Sequence, residues 1–275
     1  MEGIEVAFQG EKGAFSEEAA FQFFGDSIRM RPCETVDDVF NAVENEGVRY
    51  GIVPIENSLE GSITRTYDML LESNIRVSGE TRLRVVHCLI AIPGVGINEV
   101  KKVYSHPQAL GQCQAYLRKL KCEAVSTYDT AGSVLMIKRN NIRDGAAIAS
   151  ARSADIYEME ILAKGIEDNK KNFTRFFILS GEDSPPTGND KTSIVFSVKH
   201  EPGALFNFLK ILAERNINLT KIESRPTRQK PWEYNFYLDF EGHRAEEAVG
   251  ETLREMEKSA LFLNVLGSYP RAEDG

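Results

Sequence analysis

Thr174 and Arg175 stand side by side at the head of the run Phe176-Phe177-Ile178-Leu179, just after Asn172 and Phe173. A run this short and apolar predicts a buried strand. Buried strands have little use for Arg, whose charge is costly to desolvate unless an anion pairs with it. The hydroxyl and guanidinium are therefore expected at a strand end facing a cleft, where an anionic small molecule could meet the Arg. An Arg that snorkels or pairs with a structural carboxylate is the plainer alternative.

Four more polar clusters lie beside predicted strand ends. In Gln9-Gly10-Glu11-Lys12-Gly13 the glycines permit close backbone approach, and free amides at a helix start attract anions such as a carboxylate. A tight turn explains the same residues. The segment Pro54 to Thr64 sets Glu56, Asn57, Ser58, Ser62 and Thr64 directly after a strand, a composition that turn chemistry also accounts for. Tyr104 to Gln112 follows another strand, with Ser105 able to cap the next helix and Gln112 on that helix's first turns. His106 beside Pro107 reads as structural. In Tyr128 to Ser133, Asp129 or Thr130 reads as an N-cap.

These clusters need elements to position them. Ile4 to Phe8 reads as a strand, and Ser16 as the N-cap of a helix to Phe24. Thr35 caps a helix carrying Val36, Val39, Phe40 and Val43. Tyr50 to Val53 is a strand broken by Pro54, a helix runs near Thr66 to Glu72, and Val85 to Ile92 is a longer strand. Val103-Tyr104 is a short strand, and Pro107 opens a helix toward Leu117. Thr130 to Ile137 is helical, Ala146 to Ala149 a buried strand, and Ser150 to Tyr157 a helix. This alternation predicts an α/β domain with mostly parallel sheets, whose ligands sit at the carboxyl ends of strands. A polar break, Gly181 to Asp190, reads as a linker. Beyond it come a strand (Ser193 to Val198), a helix (Pro202 to Arg215), strands at Leu219 to Ser224 and Tyr234 to Phe240, a helix (Ala245 to Met256) and a last strand (Leu261 to Leu266). That β-α-β-β-α-β order is ferredoxin-like.

The bulk numbers narrow the partners. A formal net charge of -8 over 275 residues argues against nucleic acid and acidic membranes, which recruit basic surfaces. Met1 to Phe8 shows no basic leader or apolar signal core, and no run is long enough to span a bilayer, so a cytoplasmic protein is expected. Cys33, Cys88, Cys113 and Cys122 have no metal-ligand spacing and suggest no disulfide framework, and the four His add no zinc motif.

Taken together, these segments resemble prephenate dehydratase. The matching pieces are the Gly10 to Ser16 turn, Pro54-Ile55-Glu56-Asn57-Ser58 with Gly61-Ser62, Ser105-His106-Pro107-Gln108 with Gln112, Thr130-Ala131, and Asn172-Phe173-Thr174-Arg175-Phe176. The second half resembles the ACT regulatory module through Pro202-Gly203-Ala204-Leu205 and Glu223-Ser224-Arg225-Pro226. The resemblance covers nearly the whole chain, in order.

It implies a two-lobed, periplasmic-binding-protein-like α/β catalytic domain over residues 1–181, followed by a linker (182–190) and a βαββαβ ACT domain (191–270). The lobes would hold about 1–80 plus 170–181, and 81–169. The implied reaction converts prephenate to phenylpyruvate with loss of carbon dioxide and hydroxide, without cofactor or metal. Thr174 would donate a hydrogen bond to the departing hydroxyl. Arg175 would pair with a carboxylate or order the site through Glu56. Ser16, Glu56, Asn57, Ser62, Ser105, Gln112, Thr130 and Phe176 would form the substrate cleft. Neutral donors suit a carboxylate that must depart, because a full positive charge would stabilise the ground state more than the transition state. Phenylalanine, the end product, would bind at Gly203, Ala204, Leu205, Asn218, Leu219, Glu223, Ser224 and Arg225 as an allosteric effector. ACT modules pair, so a homodimer or homotetramer is expected. With the first strand at Ile4 there is no chorismate mutase extension, and a monofunctional enzyme is expected. Arogenate, with an amino group where prephenate has a ketone, is the rival substrate. A non-catalytic amino-acid sensor on the same fold is the rival class.

Overall fold

The computed structural model describes residues 3–227 and 233–272. In chain order the elements are β1 (Ile4–Gln9), α1 (Phe15–Phe24), β2 (Ile28–Cys33), α2 (Val36–Glu44), β3 (Tyr50–Asn57), β4 (Gly61–Ser62), α3 (Thr64–Glu72), β5 (Arg76–Arg84), β6 (Cys88–Ala91), β7 (Lys102–Ser105), α4 (Pro107–Gln112), α5 (Gln114–Leu120), β8 (Glu123–Ser126), α6 (Thr130–Asn140), β9 (Gly145–Ala149), α7 (Ala151–Ile156), β10 (Glu160–Lys164) and β11 (Phe173–Ser180). After these come β12 (Asp190–Ser197), α8 (Ala204–Glu214), β13 (Leu219–Pro226), β14 (Tyr234–Glu241), α9 (Glu247–Ser259) and β15 (Phe262–Pro270). The chain divides into two compact units, Met1–Tyr67 with Thr81–Phe176, and Asp68–Glu80 with Phe177–Gly275.

The first unit is built on two sheets. One has the order β2-β1-β3-β11-β5, with β4 paired to β3 and with β5 and β11 running past the division at Glu80/Thr81 and Phe176/Phe177, and the other β10-β6-β9-β7-β8. Pairing of β1 with β2 and β3 is parallel, as is that of β7 with β8 and β9, whereas β6 runs antiparallel to β9 and β10. The second sheet shows why its strands read as unbroken apolar runs. Leu89, Ala91, Ala146 and Ile148 pack with Ala109, Leu110 and Leu117 of α4 and α5. The alternate residues Cys88, Ile90, Ala147 and Ala149 pack with Val134, Ile137 and Ala154 of α6 and α7. Side chains alternate along a strand, so a sheet covered on both faces must be apolar at every position. In the first sheet Val6, Ala7, Phe8, Ile52 and Val53 are fully buried, with Val39 and Phe40 of α2 in the same core.

Local chemistry corrects several expectations. Ser16 is not an N-cap: α1 starts at Phe15 behind an extended Ala14, and Glu17 Oε2 accepts from Gly13 N at 2.8 Å instead. Thr35 does cap α2, with a full capping box to Asp38. Pro54 does not break β3: the pairing with β1 ends at Ile52, before the proline, and the strand goes on to pair Glu56 and Asn57 with β4. The expected strand Val85 to Ile92 is shorter, Cys88–Ala91. The helix from Pro107 stops at Gln112, and a second starts at Gln114. His106, not Ser105, caps α4, its Nδ1 accepting from Gln108 N.

The second unit holds the β-α-β-β-α-β sheet, order β13-β14-β12-β15, with all its pairings antiparallel. Ile194 and Phe196 of β12 pack on Phe208, Leu212, Leu253 and Met256 of α8 and α9, with Phe196 stacked on Phe208 at 3.8 Å between centroids. Each such side chain contributes about 1.5–3 kcal/mol. The odd-numbered face of β12 buries polar groups alongside Val195: Lys191 Nζ meets Glu80 Oε1 at 2.9 Å, and Ser193 Oγ donates to Asp239 Oδ1 at 2.6 Å. Gly267 of β15 sits so close to β5 that a Cβ there would lie 2.0 Å from the Val77 carbonyl oxygen. Backbone cannot yield at that distance, so only glycine fits.

Candidate active site

Five of the expected cleft residues, with Thr174, line one cavity of about 160 Å³ in the first unit: Ser16, Asn57, Gln112, Thr130 and Phe176. Among the described residues no Lys, Arg, Asp or Glu contributes to its wall. A wider cavity of about 520 Å³ shares Phe15, Ser16, His106 and Thr130 with it, and its wall includes Glu11, Glu34 and Asp129. A neutral recess thus opens through an acidic vestibule.

Strand geometry explains which residues reach the recess. Thr174 and Phe176 are two apart on β11 and face it together. Arg175 is buried at 8% exposure, falls on the opposite face of the strand, and lines neither cavity. Glu56 and Ser62 are cross-strand partners in the β3–β4 pair and also lie outside both walls. Ser105 is fully buried, with its hydroxyl donated to the Ile148 carbonyl at 2.6 Å. That hydroxyl ties β7 to β9.

Thr174 is held by a ring of amides. Asn57 Nδ2 donates to Thr174 Oγ1 at 3.0 Å and to Asn172 Oδ1 at 2.8 Å. Asn172 Nδ2 donates to Gln112 Oε1 at 2.7 Å, and Gln112 Nε2 to Glu60 Oε1 at 3.4 Å. The ring closes where the backbone N–H of Glu60 donates to Asn57 Oδ1 at 3.1 Å, beside that of Leu59 at 3.0 Å. Since Thr174 Oγ1 accepts from Asn57, its own proton is left to point elsewhere.

The two lobes of this unit also meet at Gly13. Its carbonyl accepts from Ser150 Oγ at 2.6 Å and Ser153 Oγ at 2.8 Å. With φ at +89° and Ser153 Oγ 2.7 Å from where a Cβ would stand, this position demands glycine.

A family model described as prephenate dehydratase matches residues 6–184, and one described as ACT domain matches residues 192–258. Arogenate dehydratase/prephenate dehydratase 2, chloroplastic, of Arabidopsis thaliana is 47% identical over 278 residues, covering 97% of this chain and 73% of that protein. The chain belongs to the prephenate dehydratase family. Among solved structures, the prephenate dehydratase of Arthrobacter aurescens in complex with L-Phe is 31% identical, with a TM-score of 0.89 over 98% of this chain and 90% of that one. GqqA, titled a novel type of quorum-quenching acylase, is 32% identical, with a TM-score of 0.88 over 97% of each chain.

Membership in the prephenate dehydratase family was legible in the motifs; His87 was not. It lines the recess, with Nε2 at 3.0 Å from Gln112 Oε1 and its ring edge-on to Phe15 at 5.5 Å. Burial pushes its pKa down, opposed by the bond to Gln112 and by the Glu167 carboxylate. The only sign in the sequence was a lone His inside an apolar stretch. His106, read as structural, lines both cavities as well as capping α4.

Of the residues expected to bind phenylalanine, Ala204 and Leu205 line a cavity of about 180 Å³ at the start of α8. Gly203 is the left-handed cap of that helix, at φ 84°. Asn218 is exposed, and its carbonyl accepts from Glu241 N. Leu219 packs on the sheet core. Glu223, Ser224 and Arg225 lie on the edge strand β13 paired to β14, and Arg225 Nη2 reaches Asp68 Oδ1 at 3.2 Å. Among the described residues no group of three or more His, Cys, Asp or Glu is arranged to hold a metal ion, and no helix is long and apolar enough to cross a membrane.

Proposed function

We propose that this chain is a cytoplasmic prephenate dehydratase that forms phenylpyruvate and answers to phenylalanine. The observation that carries the reading is Thr174 in a recess without charged side chains, its oxygen accepting from Asn57. In that state the hydroxyl proton is free to be donated to the ring hydroxyl of the substrate. As the ring carboxylate leaves as carbon dioxide, its bonding electrons move into the ring, which becomes aromatic, and the C–O bond to the hydroxyl breaks. Charge grows on that oxygen, where a placed donor stabilises it. The step needs no cofactor. A neutral wall leaves the departing carboxylate without a cation that would favour the ground state.

In this reading Ser16, Asn57, Gln112, Thr130 and Phe176 shape the recess, while Arg175, Glu56, Ser62 and Ser105 support it from outside the wall. The catalytic part is assigned to 1–181, the linker to 182–190 and the regulatory ACT part to 191–270, with Gly203 to Leu205, Asn218, Leu219 and Glu223 to Arg225 as the phenylalanine positions. A homodimer or homotetramer would bring ACT sheets together. Arogenate is the second substrate reading, favoured by the double name of the Arabidopsis relative.

The test is turnover of prephenate and of arogenate by the purified chain, with and without phenylalanine, beside Thr174→Val. Turnover that falls by roughly 10²–10³ in the variant, at unchanged folding, is expected. A Thr174→Val enzyme as fast as the parent would overturn the role of the hydroxyl. Absence of turnover on both substrates would overturn the reading.

A further inference from the structure

A buried histidine most often satisfies a core. The ring of His87 does something narrower. It is 2% exposed, and the one hydrogen bond its ring makes among the described residues goes to the amide oxygen of Gln112. An amide oxygen cannot donate, so Nε2 must carry the proton and Nδ1 the lone pair. Nδ1 is indeed buried without a partner among the described residues, so a second proton there would have nothing to bond to.

This fixes Gln112. Its Oε1 receives two donors, His87 Nε2 and Asn172 Nδ2 at 2.7 Å. Turning the amide over would set its NH₂ against both of them. Asn172 is fixed in the same way between Gln112 and Asn57, and Asn57 between Asn172 and the backbone amides of Leu59 and Glu60. The relay is clamped at one end by those amides and at the other by His87.

We infer that His87 is a positioning residue for the Thr174 hydroxyl, acting through Gln112 and Asn172. The inference rests on the dehydratase reading above. His87 draws Gln112, carried on α4 of one lobe, into the ring built by Asn57, Glu60 and Asn172 of the other. Without that donor Gln112 is free to turn, Asn172 loses its acceptor, and the Asn57–Thr174 contact loses its outer support. Displacing a catalytic group by a fraction of an ångström affects the chemical step more than binding.

The experiment compares the parent with His87→Leu, His87→Gln, Gln112→Leu and the double His87→Leu/Gln112→Leu, with a melting temperature for each. His87→Gln places an amide N–H where Nε2 was. Expected are a roughly 10-fold fall in kcat with KM within about twofold for His87→Leu, recovery of most of it by His87→Gln, and no further loss in the double variant beyond Gln112→Leu. A parental kcat for folded His87→Leu, a failed rescue by His87→Gln, or additive losses in the cycle would each overturn the inference. Should His87→Leu fail to fold, ¹⁵N chemical shifts of the parent decide. A neutral Nε2–H ring at pH 7 supports the inference, and an Nδ1–H or doubly protonated ring overturns it. A parent inactive on prephenate and arogenate would instead sink the dehydratase reading.

Discussion

Two polar interiors in this chain are built from opposite materials. The recess around Thr174 is organised by Asn57, Gln112, Asn172 and His87, with the carboxylate of Glu60 at the rim and that of Glu167 behind the wall, accepting from the His87 backbone N–H. The second unit buries charge instead. Lys191 and Glu80 pair at 2.9 Å with side chains 3% and 0% exposed, and Arg225 and Asp68 pair at 3.2 Å at 12% and 16%. Neutral amides orient a hydroxyl without adding a field that would hold a departing carboxylate in place. Ion pairs fix where one element lies on another, Lys191 of β12 on Glu80 of β5 and Arg225 of β13 on Asp68 of α3, and their charge harms nothing because no reaction occurs beside them. The burial is similar, but the cost of a fixed charge differs.

Asn57→Asp breaks the comparison most severely. The change is isosteric, yet it removes both N–H donors and puts a negative charge in the recess. Thr174 would then turn its proton to the new carboxylate and have none for the substrate. A fall in kcat of about 10²–10³ is expected, measured at saturating substrate alongside an unfolding curve. A near-normal kcat would mean the ring is scaffolding only. In the second unit, Lys191→Met removes the buried cation from beside Glu80, and a loss of about 3–5 kcal/mol in urea unfolding is expected. Replacing both, as Lys191→Met with Glu80→Leu, should recover much of it. If the single change costs under about 1 kcal/mol, the pair does not anchor the sheet.

How much of this could be read beforehand follows the same division. Strands buried on both faces, such as Ala146 to Ala149, announce themselves as apolar runs. Apart from the two-residue β4, the strands that went unread, β2, β5, β8 and β10, are the terminal strands of their two sheets. Terminal strands carry charge that discourages further pairing, and their sequences, such as Glu123-Ala-Val-Ser126, lack a run to notice. At the site, Asn57, Gln112, Thr130 and Thr174 were visible because polar residues cluster after strand ends. Arg175 was expected beside Thr174 because the two adjoin in sequence, but adjacent strand residues face opposite ways. His87 was invisible for a different reason. Its role depends on Gln112, 25 residues away, and on Asn172, 85 residues away, and no local pattern reports such a meeting.

The Arg225–Asp68 pair gives the finest test of the contrast. Its side chains are partly exposed, so water already supports both charges and the net worth of the pair is small. Arg225 Nε is nevertheless buried without a partner among the described residues, so the guanidinium is already short of acceptors. Asp68→Asn keeps the shape and one acceptor while removing the charge. It should therefore cost about 1–2 kcal/mol, less than loss of the fully buried pair and more than a surface pair. Urea unfolding at low and high salt checks it: the cost should shrink only in part with salt, because a pair at 12% and 16% exposure is screened less than a surface pair. A cost that vanishes in salt would place the pair among surface contacts, leaving Lys191–Glu80 as the second unit's buried charge in the comparison.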